Sequence, residues 1–198
     1  MRDRTYLVVF LVLCSAPAFA QDWGIGFRLG DPSGLSIKKY AGNKAFELSI
    51  GRTHLFSTNY YNHAYDRWYD GKHFKHADHQ FLAYGSSIPV GIQLHYLIHK
   101  DIAKATGLVW YYGFGGQVRA QTYRFDYRYK LENDNDWILV SDERVTNIDL
   151  GLDGVIGLEY KMKDAPVSFF VDGTLYMELF DEPFVFWPQA GIGGRFRF

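Results

Sequence analysis

From Thr146 to Met162 the chain alternates almost without a break. Thr146, Ile148, Leu150, Leu152, Gly154, Ile156, Leu158, Tyr160 and Met162 take one parity, and Asn147, Asp149, Gly151, Asp153, Gly157, Glu159 and Lys161 the other. A period of two is the signature of a strand with two unlike faces. The turn Asp164-Ala165-Pro166 follows, and then Val167, Phe169, Val171, Leu175, Met177 and Leu179 alternate with Ser168, Asp172, Thr174 and Glu178. The same pattern recurs at Trp23–Leu29, from Leu35 and Ile37, at Phe46–Ile50, at Ile88–Ile98, at Leu108–Ala120 and at Ala190–Phe198. Turn residues separate the segments, at Asp31-Pro32-Ser33-Gly34 and Ala41-Gly42-Asn43 among others. The pattern predicts eight antiparallel strands in an all-β, closed, up-and-down barrel.

The charged face carries the glycines: Gly24, Gly26, Gly51, Gly91, Gly113, Gly115, Gly151, Gly157, Gly173, Gly191 and Gly193. A solvated face has no use for so many. A crowded lumen has, because long charged side chains need small neighbours. The apolar face therefore points outward, as in a membrane barrel and unlike a soluble lipocalin-like barrel. No segment after residue 20 has the length of apolar residues a membrane helix needs, and closed barrels are the other spanning solution.

The first twenty residues stand apart. Arg2 and Arg4 precede the apolar run Tyr6–Leu13, and Ala18-Phe19-Ala20 is a small-x-small cleavage site. Residues 1–20 are expected to be a signal peptide and 21–198 the barrel domain. Leu13 stands before Cys14, where a lipoprotein signal wants a small residue, so Cys14 is read as part of the discarded segment. The mature chain then has no cysteine and no disulfide. The whole chain has net charge −1. Without Arg2, Asp3 and Arg4 it carries about −2, too balanced to suggest a nucleic-acid partner.

With the amino terminus in the periplasm, the inner connections are 41–44, 100–106 and 163–166. The outer ones include 52–87 and a turn around 133–136. Short inside and long outside is the asymmetry expected of outer-membrane barrels, and the short 31–34 outer turn is the exception. Trp23, Tyr96, Trp110, Tyr160 and Phe198 share the outward parity at the inner ends of their segments, as an interfacial girdle would.

The segment Gln189-Ala-Gly-Ile-Gly-Gly-Arg-Phe-Arg-Phe198 resembles the C-terminal strand signature of outer-membrane barrels. The resemblance implies recognition by the barrel-assembly machinery through Phe198, with Phe196 and Ile192 beside it. Gly26–Leu35, Trp110–Gly116 and Ile148–Tyr160 make the mature chain similar to small outer-membrane β-barrel proteins of Gram-negative bacteria. That likeness implies an outer-membrane location among lipid and lipopolysaccharide. It carries over no catalytic residue, and a monomer without cofactor is expected.

The candidate chemistry is sparse. The 52–87 loop holds His54, His63, His73, His76 and His79 among many aromatics. His73, His76 and His79 are weak metal candidates, because on a strand His76 would face away from the other two. Ser57, Ser86, Ser87 and Ser141 sit at outer ends, as a lipid-A-modifying enzyme would need, but no His-x-Ser pair or Gly-x-Ser-x-Gly turn accompanies them. The lumen parity holds Arg28, Lys38, Arg119, Lys161, Arg195 and Arg197 against Glu47, Asp149, Asp153, Glu159, Asp172 and Glu178. Equal numbers predict a paired network filling the interior rather than a pore, with a small gated channel as the alternative.

A change of surroundings shows between residues 122 and 124. Up to Thr122 the even positions are apolar; beyond it they are Arg124, Asp126, Arg128 and Lys130, with Tyr123, Phe125, Tyr127 and Tyr129 between them. Asp142 and Arg144 mirror this on the returning strand. Parity itself is expected not to slip, so this hairpin should rise out of the membrane. Arg124, Arg128 and Lys130 would then stand at the height of lipopolysaccharide phosphates. The expected role is noncatalytic: structural, or surface interaction with an unidentified partner through the 52–87 loop.

Overall fold

The structure, a computed structural model, describes residues 22–53, 64–72, 76–86, 88–132, 136–179, 184 and 186–198. The expected signal peptide and cleavage site lie outside these residues. Nine strands and one helix are present among them: β1 Trp23–Gly30, β2 Ser33–Ala41, β3 Lys44–Arg52, α1 Ala64–Gly71, β4 His76–Ser86, β5 Val90–Asp101, β6 Leu108–Leu131, β7 Ile138–Lys161, β8 Val167–Glu178 and β9 Phe186–Arg197. All pairings are antiparallel. Without β4 the strands close into the expected ring of eight, sealed where β1 meets β9. At that seam Trp23 N–H donates to Phe198 O at 3.1 Å, and Phe198 N–H returns a bond to Trp23 O at 2.9 Å.

The barrel is inverted relative to a soluble protein. Phe27, Leu29, Phe114 and Ile148 on the outside are 63–75% exposed, while Arg28, Lys38, Glu159 and Arg195 inside are at most 2% exposed. A continuous apolar exterior around a charged interior is what a bilayer selects. The lumen glycines serve the predicted purpose. A Cβ on Gly151 would stand 2.2 Å from the Tyr176 ring, and one on Gly191 2.2 Å from the Arg28 guanidinium. Gly173 is a correction: it lies on the outward series between Val171 and Leu175, opposite Ala190.

The expected 52–87 loop is the larger correction. Its described part contains α1 and β4. In α1, Tyr65, Trp68 and Tyr69 share a face by their i, i+3, i+4 spacing, Asp66 lies in the first turn, and Gly71 ends the helix. β4 lies end to end with β5 along the same edge of β6, with β5 pairing up to Ala120 and β4 from Tyr123 onward. β6 and β7 run 24 residues each against 8 for β1. β4 and the upper parts of β6 and β7 thus form a three-stranded collar standing on one side of the ring.

Parity does slip once between β6 and β7 in the collar, contrary to expectation. Phe125 opposes Glu143, but Tyr127 opposes Val140, so β7 carries an extra residue around Asp142. Asp142 takes φ 60° there, and its N–H donates to Asp126 Oδ1 at 2.8 Å. The bulge turns Val140 inward, onto the same aromatic cluster that Val145 packs against.

Candidate functional site

The molecule holds two buried systems, and they are built from different chemistry. The first fills the lumen near the short-turn end. Arg28 donates bidentately to Asp172 at 2.7 and 2.6 Å. Lys38 lies 2.9 Å from Glu159 and 3.6 Å from Glu47, and Arg195 is hydrogen-bonded to Glu47 and to Ser36. Tyr40 donates to Glu159, and His99 Nε2 stands 3.4 Å from the same carboxylate. The cations also stack on rings: Lys38 4.5 Å from the Tyr111 centroid and Arg195 3.6 Å from that of Phe170. Charges removed from water need such partners on every side.

Higher in the lumen the partners are mostly neutral. Asp153 accepts from Gln93 at 3.2 Å and Gln117 at 2.8 Å, with His95 at 3.2 Å. Arg119 donates to Gln117 at 3.0 Å and lies 3.8 Å from the Tyr176 centroid. Asp149 accepts from Asn147 at 2.6 Å, and Glu178 is 1% exposed. Lys161 and Arg197 are only half-buried; Lys161 lies 5.0 Å from the Tyr40 ring, and Arg197 donates to Met162 O at 3.3 Å.

The six-against-six balance therefore does not resolve into six local pairs. Near the short-turn end Arg28 pairs with Asp172, Lys38 with Glu47 and Glu159, and Arg195 with Glu47; higher up Arg119, Asp149, Asp153 and Glu178 are all buried. Charge counting missed Gln93, His95 and His99. Their odd positions on β5 would have placed them inward, beside the outward Ile92, Leu94 and Tyr96.

The second system is the collar. Its inner face is an aromatic cluster: Tyr65 and Tyr69 of α1 with Tyr123, Phe125 and Tyr127 of β6, all buried, flanked by Trp68, Tyr129, Val140 and Val145. Trp68 lies 5.5 Å from Phe125 and 5.6 Å from Tyr127 between centroids. β4 contributes through two bulges, at 76–78 and 81–83. The first puts His76 and His79 on one side of the strand, against expectation. His76 stacks on Tyr129 and His79 on Tyr69, each at 3.9 Å, and Tyr69 Oη lies 2.6 Å from His76 Nδ1. Burial first, and His79 beside it, hold His76 below the ordinary 6.5.

The outer face of the collar is cationic. Arg124 stands 3.7 Å from Asp142, which Arg144 also engages at 3.0 Å. Arg128 donates to Gln80 and lies 4.5 Å from the Trp137 ring, with Lys130 on the same ring at 4.7 Å. Of the other candidates, His54, His63, His73, Ser57 and Ser87 lie outside the described residues, as does the side chain of Ser86, and Ser141 is exposed. Among the described residues no group of three His, Cys, Asp or Glu side chains is placed to hold a metal.

No protein-family model matches the chain, and no curated protein matches it. Solved structures do. The N-terminal β-barrel domain of Pseudomonas aeruginosa OprF is similar at a TM-score of 0.55 and 15% identity, covering 89% of this chain and 96% of that one. CarO of Acinetobacter baumannii (TM-score 0.44, 10% identity, 88% and 97% covered) and Ail of Yersinia pestis (0.42, 11%, 89% and 96%) agree less. The likeness to the OprF domain concerns the fold, which is that of the small outer-membrane barrels.

Proposed function

We propose that the protein is a noncatalytic outer-membrane barrel of a Gram-negative bacterium, exported by its first twenty residues and inserted by the barrel-assembly machinery. It presents a preformed collar just beyond the outer leaflet. The exterior cations Arg124, Arg128 and Lys130 bind phosphate groups of the surrounding lipopolysaccharide. The upper surface, built from the 52–87 segment, meets a partner outside the cell. One observation carries this reading: β6 and β7 extend far beyond what the apolar band requires. Twenty-four residues at about 3.4 Å each exceed a tilted crossing of roughly 25 Å by a factor of about two.

The test is the lipopolysaccharide retained per folded barrel. Replacing all three cations by Gln lowers it; retention at the wild-type level overturns the phosphate contact. Lipid A from cells lacking the protein keeps the wild-type acyl pattern. An altered pattern overturns the noncatalytic reading.

A further inference from the structure

The outward side of β6 changes character twice along its length. Trp110, Tyr112 and Phe114 at the short-turn end are large. Gly116, Val118, Ala120 and Thr122 are small, and the cations of the collar follow. The neighbours are not small at the same levels. Leu94 and Leu152 flank Gly116, Ile92 and Leu150 flank Val118, and Val90 and Ile148 flank Ala120. Gly116 and Ala120 leave gaps between these walls, with Val118 between them, and together they make a trough one strand wide. A cavity of about 270 Å³ opens in it over Gly116, and Phe114, 65% exposed, stands at its lower end. From Gly116 to Ala120 the trough runs about 14 Å at roughly 3.4 Å per residue.

In a bilayer such a trough gains nothing from exclusion of water, because lipid tails are as apolar as leucine. Its preference for an occupant rests on van der Waals fit and on what anchors the chain. The anchor stands at its upper end. On the outer face there, Arg124, Arg128, Lys130 and Arg144 stand with Asp78, Asp126 and Asp142, Asp78 directly opposite Lys130. Arg124 and Arg144 share the single carboxylate of Asp142, and Arg128 spends two donors on the neutral Gln80. A surplus of positive charge directly above an apolar slot is complementary to a phosphorylated headgroup with its acyl chain hanging below.

We infer that the outer face of β6 seats one acyl chain of lipid A, whose phosphate is held by Arg124 and Arg128. This rests on the phosphate contact proposed above and adds the chain and its place. Arginine supplies paired donors to phosphate, and the trough orients one chain along the strand instead of leaving it free in the leaflet.

The experiment compares lipid A, deacylated lipid A and phosphatidylglycerol as ligands of the purified barrel in detergent, read by native mass spectrometry. Gly116→Leu fills the trough and leaves every cation in place. Lipid A binding falls at least about tenfold, the equivalent of one pK unit, while binding of deacylated lipid A is unchanged. Replacing Arg124, Arg128 and Lys130 by Gln lowers both. If that triple variant binds all ligands normally, the phosphate contact itself is wrong. If it loses binding while Gly116→Leu retains lipid A at the wild-type level, the contact stands and the trough does not. Equal binding of phosphatidylglycerol and lipid A also overturns the assignment. Folding of Gly116→Leu is checked by heat-modifiable migration, and Ala120→Phe blocks the trough higher up should it fail.

Discussion

The short-turn half of the lumen and the inner face of the collar are both buried, and they are held by opposite means. In the lumen, Lys38, Glu47, Glu159 and Arg195 form one ionic lattice in which each charge has partners on strands far apart in sequence. In the collar, Tyr65, Trp68 and Tyr69 meet Phe125 and Tyr127 through ring contacts of 5–6 Å, and most of the polar atoms are hydroxyls and imidazoles. The ionic lattice fails sharply when one member is lost, because the remaining charge stays buried. The aromatic cluster yields gradually, because a missing ring leaves space but no orphaned charge. The ring of eight is thus the rigid part and the collar the adaptable one.

The largest test of this contrast is Arg195→Ala. Among the described residues it leaves Glu47 with Lys38 as its one ion-pair partner. The folded barrel should lose about 3–5 kcal/mol if the site stays dry, measured as a lower urea midpoint for refolding in vesicles. A loss below about 1 kcal/mol would place the lattice in water and remove the distinction.

Trp68→Ala comes next. Trp68 is partly exposed, so the cost is about 2 kcal/mol, less than a fully buried tryptophan carries, and it falls on the collar. Proteolysis of the 52–87 segment should accelerate while the urea midpoint of the ring stays unchanged. A shift of that midpoint would show that collar and ring unfold together.

The smallest effect is set by pH. His76 is held below 6.5 in the folded collar. The unfolded segment therefore binds a proton first as pH falls. The contribution of His76 is complete above pH 6.5 and is lost as pH drops through the lowered folded value. Trp68 fluorescence should report a looser cap on acidification from pH 7.5 to 5, and His76→Gln should flatten that response. A response unchanged in the variant assigns the effect to another group.

The ring was legible in the sequence because a single rule, one parity out and one in, operates over each of its strands. α1 and β4 were not. β4 departs from that rule twice, at the bulges after His76 and after Phe81, so no alternation survives to be read. α1 offers its spacing of Tyr65, Trp68 and Tyr69 only once, too short a run to stand out. The bulge at Asp142 was hidden for a different reason. Arg144 and Asp142 are both charged and both exposed, so the slip beyond them left the charge pattern intact. Formal charges located Glu47, Arg195 and their partners but passed over Gln93, His95 and His99. The same parity on β5 already marked these as inward.

The seam between β1 and β9 has a consequence for biogenesis. Both backbone hydrogen-bonding groups of Phe198 are taken by Trp23 once the ring is closed. A receptor that reads this strand by pairing with its backbone competes for those groups, so it can hold the chain only while the first strand has not arrived. Release from such a receptor would then need no separate trigger, because the arriving amino-terminal strand would compete for the same backbone groups. The side chains of Phe198 and Ile192 stay exposed on the closed barrel, so what closure would remove is the backbone part of the label alone.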